Sequence, residues 1–313
     1  MDGSRNNAAT ARDALASLNA VGVIQIPGGA GSEFDHGIFD PGSGRVFIAH
    51  TLRSTIELID PVAGRHIATL PDFPGAAGAV ADDGEILVTN RGSASIAWLD
   101  GRTLKTRAVM KTGPRPNGAS IVKRLSLGIA ACIGDDSEKP TLQAFQLDTG
   151  SHLTLNLPGR PRWCVTDAAA ERLFLCIREP SMILVAGLPD LNLLAQWNLP
   201  SGGAHGLDID HRRGRLYAAC DDGHLVEVDS RSGEVTNSWS IAGPPDVTFF
   251  NPVSRRVHVA IGEPGLVETI EPETGKRLQT TTGAGAHTTV LVPPNRLYVI
   301  SPAHGGVLVL ADT

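Results

Sequence analysis

The chain has 313 residues, 42% of them hydrophobic and 19% charged, which is enough apolar material for a large buried core. Its net charge of −6 disfavours a nucleic-acid partner, because such binders carry a clustered Lys/Arg surface. No apolar run approaches the roughly 20 residues of a membrane-spanning helix, so we expect no membrane partner. The first residues lack the apolar stretch of a secretory signal, which predicts a cytoplasmic protein, or a periplasmic or secreted one if a signal has been removed.

Residues 1–19 carry no strand pattern and are expected to form a flexible leader, with a single domain over 20–313. Within that domain one unit recurs at a period of roughly 40–45 residues. Its clearest copies begin HGIFDPGSGRVFIAH (36–50), HGLDIDHRRGRLYAAC (205–220) and DVTFFNPVSRRVHVAI (246–261). Each copy predicts four short strands, because β-branched and aromatic runs alternate with Gly-, Pro- and Asp-containing turns.

Weaker copies fill the intervals and bring the total to seven units, the last of which ends after its third strand. The missing fourth strand is available at the other end of the domain, in Ala20–Pro27. Closure of the first and last strands in one sheet removes the exposed edges of a ring. The sequence therefore predicts an all-β fold, a seven-bladed β-propeller of four-stranded antiparallel blades closed by the N-terminal strand.

The blades resemble those of the YVTN-repeat proteins. The matching segments are LVTN (Leu87–Asn90), the Asp-Pro-x-x-Gly-Arg turn (Asp40–Arg45) and the turn Asp229–Gly233, and the resemblance covers the chain from about Val21. It implies the propeller fold but leaves activity open, since this architecture serves enzymes, ligand binders and protein scaffolds. The tryptophan-docking repeats of quinoprotein dehydrogenases and a phosphate-binding Gly-Lys-Ser/Thr are both missing, so neither pyrroloquinoline quinone nor a nucleotide is expected.

In a propeller the first strand of each blade lines the central channel, so the repeat projects one residue per blade onto a ring. Counting back about 11 positions from the start of each second strand gives this ring. Its members are Asp35 or His36, Ala77, Asn117, Arg162, His205, Asp246 and His287. At the first position a slip of one residue exchanges Asp35 for His36. Two explanations of this polar ring stay open: a functional site, or short polar side chains that only surround a water-filled channel.

Histidine is the side chain whose ordinary pKa suits proton transfer near neutral pH. We therefore expect His205, His287 and Asp246 to be the catalytic groups, with Asp246 orienting an imidazole. Converging imidazoles also suit Zn, Fe or Cu, so a divalent metal is a candidate cofactor. Its expected ligands are His36, His50, His205 and His287.

Arg162 is the expected clamp for an anionic substrate, because a guanidinium holds a carboxylate or phosphate through two hydrogen bonds. The other expected substrate contacts are Asn117, Asp35 and Glu33. Polar residues after the second strands, such as Arg91, Arg178 and Asp221, are expected to be mostly solvated loop residues.

The leading hypothesis is a monomeric enzyme of the lyase or hydrolase type that acts on a small anionic molecule, with or without a metal. The alternative is a non-catalytic propeller that binds a protein, a peptide or another ligand on the same face.

Overall fold

The computed structural model describes residues 18–312. The predicted leader of residues 1–19 lies outside this range, apart from Leu18 and Asn19, which already belong to the first strand. Within the described residues the chain forms seven four-stranded antiparallel sheets. First strands of neighbouring sheets contact one another all the way round, so the sheets close into a ring. The prediction of a seven-bladed all-β propeller is confirmed.

The strands fall into four sets by their place in the blade. The innermost are β2 Gly37–Asp40, β6 Ala76–Asp82, β10 Pro116–Val122, β14 Pro161–Asp167, β18 Ala204–Asp210, β22 Thr248–Asn251 and β26 Thr288–Val292. The second are β3 Arg45–His50, β7 Glu85–Asn90, β11 Leu127–Cys132, β15 Arg172–Ile177, β19 Arg215–Cys220, β23 Arg256–Ile261 and β27 Arg296–Ser301. The third are β4 Thr55–Asp60, β8 Ser95–Asp100, β12 Thr141–Gln146, β16 Met182–Gly187, β20 His224–Asp229, β24 Leu266–Glu271 and β28 Gly306–Asp312. The outermost are β5 Arg65–Leu70, β9 Thr106–Lys111, β13 His152–Asn156, β17 Leu193–Asn198, β21 Val235–Ser240, β25 Lys276–Thr281 and β1 Leu18–Gln25.

Blades 1 to 6 each take four consecutive strands, starting from β2, and blade 7 combines β26, β27 and β28 with β1. Strand β1 pairs antiparallel with β28, which confirms the closure by the N-terminal strand. Four single-turn 3-10 helices follow second strands, at Thr51–Arg53, Arg91–Ser93, Lys123–Leu125 and Pro302–His304. Among residues 18–312 no helix is long and apolar enough to cross a membrane.

Burial explains the strand sequences. Second strands such as β15, with the sequence RLFLCI, are apolar and buried after their first residue because neighbouring blades cover both of their faces. Outer strands such as β25 alternate between half-buried and exposed residues, since one face meets solvent. The core is therefore a set of apolar layers between blades.

Irregularities in the first strands shape the channel wall. The pairing of β6, β10, β14 and β18 shifts register at the predicted ring positions, between Ala76 and Ala79, Pro116 and Ala119, Pro161 and Cys164, and Ala204 and Gly206. Such bulges bend a strand and redirect a side chain. In β10 the ring position Asn117 is followed by Gly118. A Cβ atom at Gly118 would collide with the carbonyl oxygen of Arg162 in the next blade. Glycine there allows adjacent first strands to approach closely.

Asp208 of β18 is a buried carboxyl that accepts hydrogen bonds from the backbone N–H of Phe250 at 2.7 Å and of Ile209 at 2.8 Å. Burial dominates and raises its pKa from 3.8 to about 7. Between these values the unfolded chain binds fewer protons than the folded one, so the free energy of unfolding must fall as the pH rises.

We predict that Asp208→Asn abolishes most of this loss of unfolding free energy, because an amide does not ionise over this pH range. Its single oxygen can accept only one of the two hydrogen bonds, so the variant should be less stable than the wild type at the lower pH. Urea unfolding at about pH 4.5 and about pH 8 measures it, and the variant should lose less stability over this interval than the wild type. Asp148→Asn, at an exposed loop position, is the control and should behave as the wild type. Equal losses in the wild type and Asp208→Asn would show that Asp208 is ionised in the folded protein.

Candidate functional site

A cavity of about 210 Å³ opens at the channel mouth, on the face formed by loops that lead into first strands and out of second strands. It is lined by Asp35, His36, Arg91, Arg115, Asn117, Ile133, Arg160, Arg162 and Asp246. This volume is below the roughly 300–1,000 Å³ of pockets for drug-sized ligands, so the ligand that fits is small. All but one of the lining residues are polar or charged.

One side of the mouth carries a continuous chain of hydrogen bonds across four blades. Arg178 Nε donates to Asp221 Oδ2 at 2.6 Å, and Asp221 Oδ1 bonds His205 Nδ1 at 2.7 Å. His205 Nε2 lies 3.2 Å from Asp246 Oδ1, and Asp246 Oδ2 bonds His287 Nδ1 at 2.7 Å. Asp246 is therefore shared by two imidazoles, and the three residues predicted to be catalytic are brought together.

The charges in this chain shift one another's pKa values. Burial raises the pKa of Asp246, but hydrogen bonds from His205 and His287 outweigh it and hold the pKa well below its ordinary value. Burial lowers the pKa of His205 and of His287, yet their bonds to aspartates raise both above the ordinary imidazole value of 6.5. His205 uses both ring nitrogens on carboxylates, so its charged form is favoured. Within residues 18–312 no group hydrogen-bonds Nε2 of His287, whose side chain is 33% exposed.

The opposite side of the mouth is cationic. Arg115 directly precedes the first strand of blade 3, and Arg160 directly precedes that of blade 4. Arg162 lies two residues after Arg160, within that strand. Burial and then the neighbouring Arg178 and Arg115 lower the pKa of Arg160, and burial and then Arg160 lower that of Arg162. A guanidinium nevertheless stays charged in proteins. Positive charge is thus concentrated at blades 3 and 4.

Arg91 connects the two sides. Its Nη2 pairs with Asp35 Oδ2 at 2.7 Å and also donates to the amide oxygen of Asn117. Because Arg91 donates to the amide oxygen of Asn117, the amide nitrogen of Asn117 can donate to a ligand. Arg91 was expected to be a solvated loop residue, but it is half-buried in the cavity wall.

Asp35 and His36 both line the cavity, although only one of them was expected to do so. Asp35 Oδ1 accepts hydrogen bonds from the backbone and from Nδ1 of His36. The His36 ring stacks on Trp163 of β14, with ring centroids 3.8 Å apart and planes inclined by 8°. Blades 1 and 4 are not neighbours, so this stack reaches across the channel and holds the His36 ring at the cavity wall.

Three other expected residues are placed differently. Glu33 is exposed beside the cavity, close enough for its charge to raise the pKa of His287 further. Ala77 is buried in the wall. His50 is fully buried inside blade 1 and is not brought to the ring: its Nε2 bonds Ser32 Oγ at 2.7 Å and its Nδ1 bonds Glu57 Oε1 at 2.8 Å.

The imidazoles expected to bind a metal do not converge. His50 has both ring nitrogens bonded within its blade, and His205 has both bonded to aspartates. Across residues 18–312 no group of three or more His, Cys, Asp or Glu side chains is arranged to hold a metal ion. The divalent metal stays a prediction, and the chemistry below is derived from the side chains alone.

Sequence reasoning missed Arg115, Arg160 and Trp163. The two arginines lie two residues before the ring positions Asn117 and Arg162, each directly before the first strand of its blade. A second ring, two positions earlier, would have found both. No local signal indicates that Trp163 meets His36, because the two residues are 127 positions apart and their contact depends on ring closure.

No protein-family model matches this chain, and no curated protein matches its sequence. Solved structures share its fold at low identity. A chain of a mitotic checkpoint complex has a TM-score of 0.80 at 9% identity, covering 99% of this chain and 98% of its own length. A streptogramin B lyase has a TM-score of 0.78 at 13% identity, covering 94% of this chain and 96% of its own length. A chain of Kuenenia stuttgartiensis hydrazine synthase has a TM-score of 0.77 at 11% identity, covering 96% of this chain and 99% of its own length. These likenesses establish the propeller fold alone.

Replacing Asp246 by Asn tests the shared carboxylate. We predict that the pKa values of His205 and His287 both fall in Asp246→Asn, because the anion that stabilises each imidazolium is removed. NMR titration of the imidazole nitrogens measures both. Groups with a raised folded pKa stabilise the protein below pH 6.5, and this contribution is lost as the pH rises through the raised values. The control is Asp222→Asn, whose carboxylate bonds His224 instead. Unchanged values in Asp246→Asn would contradict the shared contact.

Proposed function

We propose that this propeller is an enzyme of the lyase or hydrolase type, which binds a small anionic substrate at the channel mouth and transfers a proton through His287. The observation that carries the proposal is the contact between Asp246 and two imidazoles beside an arginine-lined cavity. This half-buried carboxylate has a pKa held well below its ordinary value by two histidines, and perturbed groups of this kind concentrate at active sites.

His287 has the geometry of a general base. Its Nδ1–H donates to Asp246, which fixes the tautomer and leaves the Nε2 lone pair available. Nε2 takes a proton from the substrate in a lyase reaction, or from a water molecule in a hydrolase reaction. Asp246 then stabilises the imidazolium, and the proton returns to the leaving group or product. Asp246 is a positioning residue in this scheme.

His205 supports the same carboxylate from the other side. Because Asp221 and Arg178 hold its Nδ1 end, His205 keeps its Nε2–H directed at Asp246. Asp246 cannot rotate away from His287 without losing this second bond. The cationic side of the mouth, including Arg162, binds the substrate's anionic group, and Asn117 supplies a neutral donor.

The YVTN-repeat assignment remains part of this proposal and rests on Leu87–Asn90 and Asp40–Arg45. The streptogramin B lyase likeness supports only that a propeller of this shape can carry lyase chemistry. The alternative function is capture of a protein or peptide on the same face. The exposed charges around the mouth, Glu33, Arg115 and Glu179, favour that alternative.

We predict that the wild type converts at least one member of a panel of small phosphate esters, hydroxy acids and carboxylate esters. The His287→Gln variant should be slower by about 10²–10⁴-fold, the usual contribution of a general base. In the wild type kcat/KM should rise with pH through the raised pKa of His287, because the neutral imidazole is the active form. Proton NMR of the reaction mixtures measures turnover.

His211→Gln, at an exposed lower-face position, is the matched control and should keep full activity. Elemental analysis of the same samples tests the predicted metal. Turnover that is unaffected by His287→Gln would refute the base assignment. Binding of panel members without any conversion would favour the scaffold.

A further inference from the structure

Three guanidinium groups of the cavity lack a protein partner. Among residues 18–312, the side chains of Arg115, Arg160 and Arg162 form no hydrogen bond or ion pair with another side chain or with the backbone. The Nε atoms of Arg160 and Arg162 are buried and unsatisfied, and so is that of Arg91. Buried donors without partners carry a desolvation cost that a ligand with acceptor oxygens removes.

The charges around these arginines are unequal. Arg91 is matched by Asp35, and Arg178 is matched by Asp221. Asp246, the other cavity carboxylate, is already shared by two histidines. Within residues 18–312 the positive charge at blades 3 and 4 is therefore left without an ion-pair contact, in a protein whose net charge is −6.

From this geometry we infer that the substrate of the proposed function is a phosphate monoester, with its phosphate on Arg115, Arg160 and Arg162 and its reacting end toward Asp246 and His287. This inference rests on the proposed function and names its substrate class. Arg160 directly precedes β14, Arg162 lies within it, and both line the cavity, so both guanidiniums approach the ligand from blade 4. Arg115 approaches from blade 3, and the Asn117 amide adds a neutral donor.

The concentration of positive charge favours phosphate over a carboxylate. A phosphate monoester carries between one and two charges near pH 7 on three oxygens of a single centre, with a second pKa of about 6. A monocarboxylate supplies one charge and two oxygens, and an extended dicarboxylate separates its two charges. Guanidiniums close enough to lower one another's pKa values match the most compact of these anions.

The size and the wall of the cavity fit the same ligand. A volume of about 210 Å³ admits a phosphate with a short carbon body and excludes a nucleotide-sized group. The flat His36 ring lines the cavity and is held in place by its stack on Trp163, so it is a surface on which that body can lie. Asp246 lines the cavity with the arginines and bonds His287 Nδ1, so a ligand that reaches from the arginines to Asp246 ends beside His287.

Calorimetric titration with inorganic phosphate, malonate and acetate tests the inference, at about pH 7.5 and at one ionic strength because exposed charges are screened by salt. We expect one phosphate per chain, bound at least tenfold more tightly than acetate or malonate. The double variant Arg160→Gln/Arg162→Gln should weaken phosphate binding at least tenfold. Arg212→Gln/Arg231→Gln, on the exposed lower face, removes the same charge and should bind as the wild type.

Arg115→Gln provides a second arm that cannot be attributed to misfolding, because Arg115 is exposed at the mouth and makes no contact that the fold needs. It should weaken phosphate binding severalfold at an unchanged Tm. If both arginine variants bind phosphate as the wild type does, the inference is overturned.

If malonate or acetate binds as tightly as phosphate and this binding depends on the arginines, the substrate is not a phosphate monoester. The proposal of an enzyme that binds a small anion is then unaffected. Binding of no anion in the titration also overturns the class. The turnover assay tests the proposed function separately: equal turnover by the wild type and His287→Gln contradicts the function, whatever the titration shows.

Discussion

A single carboxylate, that of Asp246, organises the channel mouth. It lies between His205 and His287 and is held by a hydrogen bond on each oxygen. A buried carboxylate is tolerated only when its charge is compensated, so the two imidazoles stabilise Asp246 and are in turn kept protonatable by it. Each of the three residues comes from a different blade. The network therefore exists only when blades 5, 6 and 7 are correctly placed in the ring.

The blades are placed by features far less polar than the site. Apolar second and third strands pack against their neighbours, and glycines such as Gly118 allow first strands to come together closely. Bulges at the ring positions then turn side chains into the channel. Stability comes from the layers between blades, while the mouth is a polar surface that those layers hold in a fixed geometry. The pairing of β1 with β28 completes the ring.

The mouth is divided by charge. Arginines dominate at blades 3 and 4, and carboxylates with imidazoles dominate at blades 5, 6, 7 and 1. Arg91 and Asp35 form the junction, where the two kinds of side chain neutralise each other. An asymmetric substrate would bind such a site in one orientation, with its anionic end at the arginines. This asymmetry distinguishes the mouth from a uniformly polar, water-filled channel.

Much of this could be predicted from the chain alone. The repeat specified seven blades, and counting back from each second strand selected Asn117, Arg162 and Asp246, all of which line the cavity. Prediction worked there because turns and strand lengths recur, so equal offsets lead to equal positions. His50 shows the limit: it was expected to bind a metal at the mouth, but Glu57 and Ser32 hold the ring inside blade 1. Local spacing does not show which nearby polar group a side chain will choose.

Alternation and repetition are local properties, so the sequence by itself determined the strands, the closure and the approximate ring. The tertiary structure alone decided which side chains meet across it. The stack of His36 on Trp163, the sharing of Asp246 and the crowding of Arg115 with Arg160 each join residues from different blades. Their distances depend on how seven twisted sheets close around one axis, which is a property of the whole packed ring and of no segment within it.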